Sequence, residues 1–95
     1  MANKYEMMVV LSPVLGDEGI TSTTEAIKAK VESGATIDSM ESIGMKRMAY
    51  EIEDQKDGFY LLFNFTSEAD FPKEIERVLK ITEGVLRFLV IRVEE

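Results

Sequence analysis

Lys46, Arg47 and Tyr50 form the densest chemically suggestive group in the chain, two adjacent cations and a phenol inside the segment GMKRMAYEI that runs from Gly44 to Ile52. Lysine and arginine bridge phosphate oxygens, and tyrosine stacks on an unpaired base or forms a hydrogen bond, so the combination suits nucleic-acid contact. In a strand, neighbouring side chains point to opposite faces. Lys46 and Arg47 therefore both reach water only if this part of the strand projects beyond its covering helices or lies at a sheet edge. The structural alternative is edge protection, in which charges, lysine above all, keep a free strand edge from recruiting another chain.

Other chemistries are poorly supplied. The 95 residues contain neither cysteine nor histidine, which excludes disulfides, thiolate nucleophiles, imidazole bases and metals held by either residue. The carboxylates are spread along helix surfaces and turns, where charged runs are ordinarily solvated, and they give no support to paired-acid catalysis. Gly16-Asp17-Glu18-Gly19 lacks phosphate-loop spacing and puts anions where a phosphate needs donors. Met7, Met8, Met45 and Met48 fall in strand-like segments and read as packing. No catalytic residue, metal site or cofactor is expected.

The elements that must carry the basic pair follow from residue pattern. Lys4 to Leu11 is β-rich and is ended by Ser12-Pro13, since proline cannot donate to a central ladder. From Asp17 to Ser33, Ile20, Ile27 and Val31 fall on one helical stripe, with acids at the start and Gly34 as a stop. Ala35 to Ile52 reads as a long second strand with Ile37, Ile43, Met45 and Met48 as apolar markers and a bend at Gly44. Glu53 to Gly58 is a polar turn whose Asp57-Gly58 end carries the hairpin signal, so a third strand is expected over Phe59 to Phe65. Asp70 is placed to cap a second helix with Pro72 in its first turn and Phe71, Ile75, Val78 and Leu79 at helical spacing. Val85 to Val93 forms the last strand, followed by Glu94 and Glu95 as a charged tail.

This order, β-α-β-β-α-β, predicts a single α+β domain of ferredoxin-like plan over residues 1–95, a four-stranded antiparallel sheet with both helices on one face. The opposite sheet face is then bare. It is also apolar, because the first strand carries Tyr5, Met7, Val9 and Leu11 on one side and Met8 and Val10 on the other. Such a face either tolerates solvent or is covered by something.

Eleven Lys and Arg against eighteen Asp and Glu give a net charge of −7, which argues against nucleic acid unless the cations are gathered locally. Lys28, Lys30, Lys73, Arg77 and Lys80 sit on helices beside Glu25, Glu32, Glu74 and Glu76, and ion pairing accounts for them. Lys46, Arg47, Arg87 and Arg92 lie in strands instead, with Lys4 at the entrance to one. The longest apolar runs, Met7 to Leu11 and Phe88 to Ile91, are too short to span a bilayer, and the opening residues lack a secretory pattern, so the chain is expected in the cytoplasm.

The sequence resembles bacterial small-subunit ribosomal protein six over nearly its whole length. The resemblance is most specific at Gly44, Lys46, Arg47, Ala49, Tyr50 and Ile52, with Met48 where leucine is common in that family, and it extends to Gly58-Phe59-Tyr60 and Val85-Leu86-Arg87. The resemblance implies a non-catalytic constituent of the small ribosomal subunit that binds the central domain of 16S rRNA together with small-subunit ribosomal protein eighteen. It places rRNA contact at Lys46, Arg47, Tyr50 and Arg87, with Lys4 and Lys80 behind them. A basic partner sharing the contact would reconcile an acidic chain with an RNA particle. The extended C-terminal tail of some members is reduced here to Glu94-Glu95. Two other classes share the element order. A ligand-sensing regulatory module would show a Gly-rich first loop where this chain has Ser12-Pro13-Val14-Leu15-Gly16, and a small hydrolase of acylphosphatase type would need an anion-cradling loop.

Overall fold

The computed structural model describes residues 2–93. Among them the order is β1 (Asn3–Leu11), a 3-10 turn (Pro13–Leu15), α1 (Gly16–Glu32), β2 (Ala35–Ile52), β3 (Gln55–Ser67), α2 (Phe71–Ile81) and β4 (Val85–Arg92). The strands form one sheet in the order β2-β3-β1-β4, every neighbouring pair antiparallel. This is the ferredoxin-like arrangement the element order predicts. Glu94 and Glu95, read from sequence as a charged tail, lie outside the described residues.

Period-two alternation decides the layers. Tyr5, Met7, Val9 and Leu11 on β1 and Leu61, Phe63 and Phe65 on β3 are buried with Ile20, Ile27 and Val31 of α1 and Ile75 and Leu79 of α2. Each such side chain contributes about 1.5–3 kcal/mol when fully removed from water. Phe65 stacks on Tyr5 at 5.6 Å between centroids and meets the edge of Phe71 at 5.9 Å, so one ring ties β1, β3 and α2.

Three local readings change in the structure. Asp70 does not cap α2 through its side chain; its backbone is already helical, at φ −88° and ψ −17°, whereas a capping residue is normally extended. Gly34 does follow the end of α1, but its work is close approach: a Cβ there would collide with the Phe71 ring. The hairpin turn is Glu53-Asp54, not Asp57-Gly58. Both turn residues have positive φ, 50° and 64°, as a two-residue type I′ turn requires, and Ile52 pairs with Gln55 across it. Gly58 lies inside β3, opposite Lys46.

Candidate nucleic-acid interface

β2 and β3 run on past the end of β1, whose last residue, Leu11, pairs with Phe59. Residues 55–58 of β3 therefore pair only with β2, and the hairpin forms an arm that helps stretch the molecule to 41 × 24 × 21 Å. The arm bends. Between the pairs Arg47↔Asp57 and Ile52↔Gln55, β2 advances five residues while β3 advances two, so the excess must bulge. The bulge brings Met48 down onto the bare face, where it is only 8% exposed.

Gly58 makes that descent feasible. A Cβ at this position would collide with Cγ1 of Val10 and stand 3.4 Å from the Met48 sulfur. Beyond Met48, Tyr50 reaches across the sheet to β4, and Arg87 Nη1 donates a long hydrogen bond of 3.5 Å to the Tyr50 hydroxyl. Tyr50 and Arg87 thus meet although they are far apart in sequence. Beside them a small pocket of about 90 Å³ is lined by Met8, Val10, Tyr60, Arg87, Phe88 and Leu89.

Register locates the remaining candidates. Lys46 pairs with Gly58 and shares the bare-face side with Tyr60 and Leu62, while Arg47 pairs with Asp57 and points to the other side. Both are exposed. Lys4 pairs with Thr66 and so belongs to the bare face at the far end of β1, and Lys80 sits in the last turn of α2 in the helical layer. Tyr50 and Arg87 therefore meet at one end of the bare face with Lys46 on the same side of the sheet, Arg47 lines a small depression on the arm with Met48, Tyr50 and Lys56, and Lys4 and Lys80 stand apart.

The bare face divides into two regions. Near Lys4 it is polar: Asn64 Nδ2 donates to Ser39 Oγ at 3.0 Å and Thr66 Oγ1 donates to Asp38 Oδ2 at 2.7 Å. Toward the arm it is apolar, with Met8, Val10, Leu62 and Tyr60 joined by Leu89 of β4, which is 47% exposed, while Ile91, 45% exposed, lies opposite Glu6 in the row of Asn64. Alternation in β1 announced this apolar region. Sequence pattern does not reveal Gly58 and Met48 as the residues that position Tyr50, because Asp57-Gly58 resembles a turn when only neighbours in sequence are considered.

Two of the helix cations, Arg77 and Lys30, pair with one carboxylate, Glu74, the closer link within α2 and the longer one from α1. Glu74 accepts from Arg77 Nε at 3.2 Å and Nη2 at 2.6 Å, and Lys30 of α1 lies 3.4 Å away. The bonded Arg77 guanidinium, with Lys30 as a second cation, holds the Glu74 carboxyl at about 2 against an ordinary 4.5. Among the described residues no cluster of three or more carboxylates is placed to hold a metal ion.

The family model for ribosomal protein S6 matches residues 4–92. The chain belongs to the ribosomal protein S6 family. It is 39% identical over 92 residues to small ribosomal subunit protein bS6 of Clostridium botulinum strain Loch Maree, covering 96% of this chain and 98% of that protein. To bS6 of Clostridium acetobutylicum it is 37% identical over 94 residues, covering 98% and 99%. The crystal structure of 30S ribosomal protein S6 from Thermotoga maritima superposes with a TM-score of 0.92 at 26% identity, covering 98% of this chain and 89% of that one. The C-terminal domain of MgtC from Mycobacterium tuberculosis, at TM-score 0.65 and 16% identity, shares the fold alone. Membership in the S6 family makes this a structural protein of the small ribosomal subunit, and so of the bacterial cytoplasm, rather than an enzyme.

Proposed function

We propose that this S6-family chain binds the central domain of 16S rRNA jointly with small-subunit ribosomal protein eighteen. The observation that carries the reading is the meeting of Tyr50 and Arg87, with Lys46 on the same side of the sheet, at the margin of an apolar, uncovered sheet face. A face of this kind suits a protein partner, and a cationic margin suits phosphate. The chain is acidic at −7, so joint binding is the physically reasonable route. The basic protein supplies most of the counter-charge, and a local patch of this chain meets RNA at the seam.

Within that reading Lys46 and Arg87 bridge phosphates, and Tyr50 stacks on or hydrogen-bonds an adjacent nucleotide. Arg47, directed the other way, contacts a second RNA segment or the protein partner; Lys4 and Lys80 supply peripheral attraction. Recognition rests on phosphate and sugar contacts and on shape, with little base readout.

The test is a titration of a central-domain 16S rRNA fragment with protein eighteen, with and without this chain, at several salt concentrations. The pair should bind more tightly than protein eighteen alone, with a steeper salt slope. Equal binding refutes the proposal. Leu89→Glu, at a half-exposed position on the bare face, should abolish the gain while leaving the fold intact.

A further inference from the structure

A second surface lies around the end of the sheet from the cation cluster. Three segments converge there. The Ser12 backbone N–H donates to the Gly84 carbonyl at 2.7 Å, joining the turn after β1 to the loop before β4. Leu15 packs against Gly84, where a Cβ would stand 2.6 Å from Leu15 Cδ1. The tip of the arm, at Glu53 and Gln55, forms the facing wall of a groove of about 250 Å³.

The groove has both apolar and charged walls. Its apolar lining comes from Val14, Leu15 and Leu86, and its charged lining from Glu53 and Glu83. Val14 is 75% exposed and Ile81, just before the same loop, is 74% exposed, the highest values among large apolar side chains of the described residues. Among the described residues no lysine or arginine lines the groove. An apolar surface flanked by charge of one sign matches a ligand with an apolar anchor and the opposite charge.

We propose that this groove docks an extended lysine- and arginine-rich segment of another small-subunit protein. An apolar side chain of that segment lies against Val14 and Leu86, and its cations lie beside Glu53 and Glu83. RNA is disfavoured because its phosphates would face two carboxylates with no cation between them. A second copy of this chain is disfavoured because each copy carries a net charge of −7. The surface differs from the one proposed for the bare face, since Lys46, Tyr50 and Arg87 take no part in it.

The experiment places photoreactive p-benzoylphenylalanine at Val14 and assembles the variant into small subunits from purified components. Irradiation, nuclease treatment and peptide mass spectrometry then identify the neighbour. The expected product is a cross-link to a lysine- and arginine-rich protein peptide, with its yield cut about fivefold or more when Glu53→Lys and Glu83→Lys are added. A cross-link to rRNA, to a second copy or to nothing overturns the proposal, as does a yield indifferent to the charge reversals. Incorporation into the particle is scored separately, so loss of rRNA binding is distinguishable from an empty groove. If the variant does not assemble, the free protein is titrated with a short synthetic peptide alternating arginine and leucine, read by amide chemical shifts. Shifts confined to Val14, Leu15, Glu83 and Leu86 support the proposal, and scattered or absent shifts refute it.

Discussion

Replacing Gly58 with alanine tests whether contact at its root holds the arm in place. The new methyl group would collide with Cγ1 of Val10 and approach the Met48 sulfur at 3.4 Å and the Leu11 carbonyl oxygen at 3.6 Å. Val10 is only 2% exposed and β-branched, so it cannot swing aside cheaply. Overpacking of this kind costs about 1–3 kcal/mol. Gly58 does not have positive φ, so alanine also restricts the unfolded chain and returns about 0.4–1 kcal/mol. The net expectation is a loss of about 1–2 kcal/mol, and each kcal/mol lowers the melting midpoint of a domain this size by about 4–8 °C. Urea and thermal unfolding followed by circular dichroism measure it. If the strain is relieved by lifting the arm, Met48→Ala will cost less in the Gly58→Ala background than alone, because its packing is already lost. A Gly58→Ala protein as stable as the parent would refute the close-contact account of the arm.

Lys46→Ala and Arg47→Ala should have unequal effects, because register sends the two side chains to opposite sides. Lys46→Ala is expected to weaken binding of the rRNA fragment severalfold and reduce its salt slope, Arg47→Ala to do so less, and both to leave stability within about 0.5 kcal/mol. Equal losses would count against the geometry. The Glu74 carboxyl, depressed to about 2 from 4.5, predicts a pH effect of definite sign. Its contribution is complete above pH 4.5 and is lost as pH falls toward 2, so acid unfolding curves of the parent and Glu74→Gln should converge across that window and separate above it. High salt should shrink the difference, since the pair is solvent-exposed.

Residue pattern determined most of this fold because its signals are periodic. The stripe of Ile20, Ile27 and Val31 and the alternation of Phe59, Leu61, Phe63 and Phe65 settled the element order, and β2 has the bounds read for it, Ala35–Ile52. The errors lie where a residue's role depends on a distant partner. Gly58 reads as a turn because of Asp57, yet Val10 and Met48 above it are what require its small size. Gly34 reads as a helix stop, yet the Phe71 ring makes it indispensable. Of the candidate site, the opposed directions of Lys46 and Arg47 were legible from alternation. The meeting of Tyr50 with Arg87 was not, because it depends on the extra residues that β2 takes between Arg47 and Ile52.

The position of β1 also bears on how the molecule is made. It is a central strand, flanked by β3 and β4, and its ladder with β4 joins Tyr5 to Arg92. During synthesis β1 leaves the ribosome early, with both its edges and both its apolar faces uncovered, and waits for β3 and then for nearly all of the described chain before its second edge is paired. Closing so long a loop is entropically costly and slow, and an unpaired apolar strand is a template for other chains in the interval. Nascent chains of this protein should therefore depend on early binders of exposed strands, until translation delivers the segment that completes the sheet.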